Sequence, residues 1–134
     1  MILTIYTDGA SRGNPGKASY GFVVFNDKKE KIHEEGKYLG IKTNNFAEYT
    51  AVIKALEYVE KSFSRDLEIK FFMDSKLVVE QLSGRFKIKS LNLIPLIKSI
   101  KVLTAKFSFV DYEHIPRSMN SLADTQANKA LDSL

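Results

Sequence analysis

The chain has 134 residues, one domain's worth, and its 44% hydrophobic and 27% charged content is that of a globular protein with a real core. No apolar run approaches the roughly 18 residues that cross a bilayer, and Thr4, Thr7 and Asp8 stand where a signal peptide needs its apolar stretch, so a cytoplasmic protein is expected. Without cysteine and with two histidines, disulfides and thiolate metal sites are excluded; any metal must be held by oxygen or histidine, which favours a hard cation, while net charge +4 and pI near 9.2 are compatible with a polyanionic partner.

From the N-terminus, residues 2–8, 19–26 and 31–40 are rich in β-branched and aromatic side chains, with turn signals at Asn14-Pro15-Gly16 and Asn26-Asp27. They predict a three-stranded antiparallel meander. From about Asn44 the period changes, and Tyr49, Val52, Leu56, Val59 and Phe63 fall at the three-four spacing of a helix. A fourth strand, LEIKFFMD, ends on Asp74 and is followed by a short helix near Ser75 and a basic connector, GRFKIKS. A helix over about Leu91–Leu103 tolerates Pro95 in its first turn, and a fifth strand, KFSFVDYEHI, leads through Pro116 to a last helix over about Ser121–Leu131. Helical crossovers make strands 1, 4 and 5 parallel, with strands 2 and 3 added antiparallel. The expected fold is α/β: one domain over residues 1–134, with a five-stranded mixed sheet flanked by about four helices.

In such a sheet ligands gather at the carboxyl ends of the parallel strands, and Asp8 and Asp74 end two of them. If strands 1 and 4 are neighbours, their carboxylates meet. Glu48 is placed in the first turn of the first helix with Val52, Ala55 and Val59 on its face, so it points toward the sheet; Asp124 shares a face with Ala127 and Leu131. A first-turn acid stabilised by the helix dipole accounts for position along each helix but not for the face. Crowded carboxylates repel unless a cation sits among them, and two hard divalent ions would suit an in-line displacement at phosphorus; magnesium fits such a site best, with manganese as the other option.

Three blocks, TDGASRGNPG, TNNFAEY with FMDSKLVVEQL, and HIPRSMNSLADTQANKAL, together resemble type 1 ribonuclease H over essentially the whole chain, which implies the sheet order 3-2-1-4-5. The resemblance implies that Asp8, Glu48, Asp74 and Asp124 are both the catalytic and the metal-binding carboxylates, and that Asn14, Asn44 and Asn45 contact substrate, with Ser11 and Gly13 beside them. An A-like hybrid helix exposes 2′-hydroxyls in a wide minor groove, where amides both donate and accept. Asn44 also reads as a helix N-cap. No phosphate-cradling nucleotide motif, GxGxxG or GxxxxGK[ST], is present.

The implied function is an endonuclease cutting the RNA strand of RNA/DNA hybrids with two metal ions, leaving 5′-phosphate and 3′-hydroxyl ends, and acting as a monomer. The alternatives are a related nuclease that also cleaves double-stranded RNA, and a non-catalytic hybrid-binding module. The sequence departs from the family pattern in several places. His114 has about the spacing of a family histidine near the last acid but also reads as a strand histidine, and Arg117, nearer the loop, is either a phosphate contact or a solvated charge. Lys76 stands where some relatives have glutamine and suits a phosphate. The connector is too short for the basic protrusion of some relatives; its alternating Arg85, Lys87 and Lys89 form either a small phosphate-binding edge or a solvated connector.

Overall fold

The computed structural model describes residues 1–87 and 90–134. Its element order is β1 (Ile2–Gly13), β2 (Gly16–Phe25), β3 (Lys31–Lys42), α1 (Asn44–Ser62), β4 (Glu68–Met73), α2 (Lys76–Leu82), α3 (Ile94–Thr104), β5 (Phe109–His114), a 3-10 turn at Arg117–Met119, and α4 (Ser121–Asp132). The strands form one sheet in the expected order β3-β2-β1-β4-β5, with β1–β4 and β4–β5 parallel and β1–β2 and β2–β3 antiparallel.

Strand β1 carries the organisation of the site. It is five residues longer than the sequence implied, because its two edges pair over different lengths. Parallel pairing with β4 stops at Tyr6 opposite Phe72, whereas antiparallel pairing with β2 continues through Asp8 opposite Gly21 to Gly13 opposite Gly16. Asp8 therefore does not end the strand. It lies just past the parallel pairing, where β4 has turned away and the backbone of β1 continues in a hairpin arm.

Successive side chains of a strand face opposite sides of the sheet, and β1 uses this alternation to meet two helices. On one side, a Cβ at Gly9 would lie 2.3 Å from the Glu48 amide nitrogen, so only glycine lets α1 approach there. Leu3 and Ile5 share that side and are fully buried, together with Tyr49, Val52, Leu56 and Val59 of α1. On the other side, Gly21, the register partner of Asp8, is so close to α4 that a Cβ would lie 2.5 Å from the Ala123 carbonyl oxygen and the Ala127 amide nitrogen. The Ser19 hydroxyl donates to the Ala127 carbonyl at 2.6 Å and fixes α4 in place. Asp8 thus faces the helix that carries Asp124.

Other boundaries differ for local reasons. Helix α3 begins at Ile94 rather than Leu91, because Leu93 is its N-cap and Pro95 occupies the start, where the missing N–H is harmless. Strand β5 begins at Phe109, after a turn in which the Ser108 amide donates to the Leu67 carbonyl at 3.0 Å. Helix α1 is capped by Thr43, whose hydroxyl accepts from the Phe46 amide at 3.2 Å, so Asn44 is its first residue and not its cap.

Replacing Gly21 by alanine should force α4 off the sheet and destabilise the protein by roughly 1–3 kcal/mol in urea unfolding, the usual range for overpacking. A change below about 0.5 kcal/mol, typical of a surface site, would contradict the close packing described.

Candidate active site at the carboxyl ends of the parallel strands

Asp8 and Asp74 come together because β1 and β4 are adjacent and parallel, and Asp74 directly follows Met73, the last residue of β4. Glu48 enters from α1. It lies one residue beyond the first helical turn rather than within it, where the helix dipole has faded, so a dipole-stabilised surface acid does not explain its position. Its residue is 4% exposed and that of Asp8 5%, both low for charged side chains. One carboxylate oxygen from each of Asp8, Glu48 and Asp74 lies within 4.8 Å of the others. Asp124, in the first turn of α4, is outside that radius but close enough to Asp8 to raise its pKa through charge and a hydrogen bond.

The electrostatics follow from burial and crowding. Loss of hydration is the main cause that pushes the Asp8 carboxyl up to about 8, with the charges of Asp74 and Asp124 adding to it. Glu48 is raised well above the ordinary carboxylate range, first by burial and then by Asp8 and Asp74. Two hydrogen bonds oppose the rise: one from the Glu48 side chain lowers Asp8, and one from the Gly9 amide, which also donates to Asp8 Oδ1 at 3.0 Å, lowers Glu48. Among the described residues no lysine, arginine or histidine forms an ion pair with any of the four acids. Glu48 Oε2 is buried without a hydrogen-bond partner. Such a donor set fits a hard divalent cation, which would neutralise the charge and take up the free oxygen.

The hairpin arm and the start of α1 bring together the three predicted asparagines. The Asn44 amide donates to Asn14 Oδ1 at 3.0 Å, which ties the β1–β2 turn to the helix. Asn14, Thr43, Asn44 and Asn45 line an open hollow of about 340 Å³ with Ser90 and Asn92, two residues the sequence did not single out. Gly13 sits at φ +96° in the turn, a conformation that favours glycine. The Ser11 hydroxyl is within hydrogen-bonding reach of the Gly13 and Lys42 carbonyls, so it holds the arm against β3.

The remaining predicted residues lie around the acids. Lys76 is the exposed first residue of α2, two after Asp74. His114 is the exposed last residue of β5, beside Met73 in the ladder, and Arg117 is exposed on the 3-10 turn leading to α4. Arg85 is held in an ion pair with Glu80 and Lys87 is exposed, while Lys89 lies outside the described residues. Sequence reading also missed Asn120, which precedes α4, is 1% exposed, and donates its side-chain amide to Asp74 Oδ2 at 3.3 Å.

Residues 6–130 match the family model described as "Reverse transcriptase-like". The chain is 42% identical over 133 residues to the "Bifunctional protein Rv2228c" of Mycobacterium tuberculosis (strain ATCC 25618 / H37Rv); the match covers 98% of this chain and 36% of that protein, so the chain spans about a third of the length of this curated relative. Among solved structures, RNase H1 from the halophilic archaeon Halobacterium salinarum NRC-1 superposes with TM-score 0.92 at 37% identity over 100% of both chains. LC11-RNase H1, solved in complex with an RNA/DNA hybrid, superposes with TM-score 0.93 at 38% identity, covering 98% of this chain and 97% of that one. With the sheet order, the four acids on their expected elements and these likenesses together, the chain belongs to the type 1 ribonuclease H family.

Proposed function

We propose that this chain is a divalent-metal-dependent endonuclease that hydrolyses the RNA strand of RNA/DNA hybrids. The observation that carries this reading is the group of three buried or half-buried carboxylates within 4.8 Å, with no internal counter-cation among the described residues. A surface evolved only to bind a polyanion gains nothing from acids that repel phosphate. Asp8, Glu48 and Asp74 would hold the cation, with Asp124 completing the set beside Asp8; two Mg²⁺ ions suit these hard oxygen donors, and Mn²⁺ is a workable substitute. When bound, such ions supply the positive charge that lowers the pKa of an attacking water and neutralises charge developing on phosphate.

The side chains of this protein supply placement. The asparagine-lined hollow offers amides that both donate and accept, as the 2′-hydroxyls and base edges of an A-like minor groove require. Asn14, Asn44 and Asn45 would contact substrate there, while Ser11 and Gly13 keep the arm in position. Lys76, Arg117 and Lys87 would attract phosphates as exposed cations. His114 stands beside the strand end that carries Asp74, and it would assist proton transfer there. In-line attack by water on phosphorus, with the P–O3′ bond breaking and the leaving 3′ oxygen taking up a proton, would leave 5′-phosphate and 3′-hydroxyl ends. One chain provides all four acids, so a monomer is sufficient, and a cysteine-free chain suits the cytoplasm.

Substitution Asp74→Asn should lower hybrid cleavage by at least about 10²-fold, the scale set by removing one group that stabilises developing charge, and leave hybrid binding intact or tighter. Unchanged cleavage would overturn the reading.

Proton linkage gives a second prediction. Between its ordinary pKa of 3.8 and about 8, Asp8 in the metal-free folded chain keeps a proton that the unfolded chain has lost. The unfolded state then binds fewer protons, so stability to unfolding falls as pH rises through that window and levels off above it; Glu48, raised for the same reason, adds to the fall. Adding Mg²⁺ should stabilise the protein more at pH 8 than at pH 5, and calorimetry in buffers of different ionisation heat should record proton release on binding near pH 6.5. Equal stabilisation at both pH values, with no proton released, would contradict a cation site built from these acids.

A further inference from the structure

We propose that Asn120 is a positioning residue that fixes the Asp74 carboxylate for cation binding, an inference that rests on the function proposed above. Asn120 is the N-cap of α4, where an asparagine side chain ordinarily accepts a hydrogen bond from a free amide of the first helical turn, a contact worth about 1 kcal/mol. Here the side chain makes no capping bond. It is turned inward and 1% exposed, and both of its amide protons are used: Nδ2 donates to the Thr7 carbonyl at 2.9 Å and to Asp74 Oδ2 at 3.3 Å. A helix-start residue that forgoes its cap needs a compensating role, and such departures from local rules concentrate at functional sites.

The orientation of the amide is set by its neighbours. Flipped, its carbonyl oxygen would face a carbonyl and a carboxylate, two acceptors, so only the donating orientation is compatible with the site. The same residue reaches a second acid through its backbone, because its carbonyl accepts from the Asp124 amide at 3.1 Å. Asn120 thereby ties together the residue before Asp8, the carboxylate of Asp74 and the first turn that carries Asp124. With one oxygen of Asp74 held by the amide, the carboxylate is fixed in rotation. Groups that orient metal ligands in this way typically change metal affinity by about 10- to 100-fold when removed.

Asn120→Ser separates positioning from capping, since serine caps helices well but is too short to reach Asp74. Measured by calorimetry with Mn²⁺, the variant should remain folded and bind the ion about 10- to 100-fold more weakly than wild type, with cleavage restored toward the wild-type rate at high Mn²⁺ and the KM for hybrid little changed. Wild-type Mn²⁺ affinity in a folded variant would overturn the inference and leave Asn120 a structural residue. Should the variant fail to fold, the wild-type protein still decides: the Asn120 side-chain amide signals in ¹H–¹⁵N spectra should move during a Mg²⁺ titration, and signals that stay fixed through saturation would overturn the inference. Normal Mn²⁺ affinity in Asn120→Ser, alongside an inactive Asp74→Asn, would refute this role alone, whereas an active Asp74→Asn would remove the functional reading beneath it.

Discussion

Mutual repulsion among Asp8, Glu48 and Asp74 is the constraint on which the rest of the structure depends. Three carboxylates within 4.8 Å, two of them almost wholly buried, have no lysine or arginine among the described residues to neutralise them. Burial and crowding instead raise the pKa values of Asp8 and Glu48, so the metal-free site relieves its charge by holding protons. A hard divalent cation relieves it better, because it neutralises the charge without protonating the ligands. Negative charge that would weaken a stable core or a plain nucleic-acid-binding surface becomes an advantage only when a cation and a phosphate are to be brought together.

The scaffold is arranged to sustain that repulsion. Glycine at position 9 lets the start of α1 come close enough for Glu48 to reach the sheet, and glycine at position 21 lets α4 press Asp124 toward Asp8 from the other side. The Ser19 bond to the Ala127 carbonyl and the Asn120 bonds to Thr7 and Asp74 fix α4 independently of any contact between the acids. Core packing of α1 on Leu3 and Ile5 supplies the apolar burial that offsets the unfavourable electrostatics. The hairpin arm, joined to α1 through Asn14 and the Asn44 amide, places the amide-rich hollow on the same side of the molecule as the helix start that leads to Glu48.

Much of this was legible in the sequence because periodicities and strand ends carry direct geometric meaning. Which strands run parallel follows from where helical crossovers fall, the sheet order came with the family resemblance, and Asp8 and Asp74 follow from the rule that ligands gather at carboxyl ends of parallel strands. The face of Glu48 followed from Val52, Ala55 and Val59, although its position beyond the first turn did not, since helix starts are set by capping geometry and Thr43 rather than Asn44 does the capping. The length of β1 was hidden by Gly9 and Gly13, which read as turn residues but lie in the ladder because neighbouring backbone approaches Gly9 and the turn begins at Gly13. Asn120 was missed for a related reason: an asparagine before a helix reads as a cap, and only tertiary structure reveals that its amide is turned to Asp74. Ser90 and Asn92 join the hollow through a long-range approach that no local spacing encodes.

That this constellation cuts RNA paired to DNA is tested most directly by cleavage of matched RNA/DNA, RNA/RNA and DNA/DNA duplexes, each strand labelled in turn, with Mg²⁺, Mn²⁺ or a chelator. The predicted result is cleavage confined to the RNA strand of the hybrid, dependent on the added metal and abolished by the chelator. Retained hybrid binding with no cleavage of any strand in either metal would contradict it.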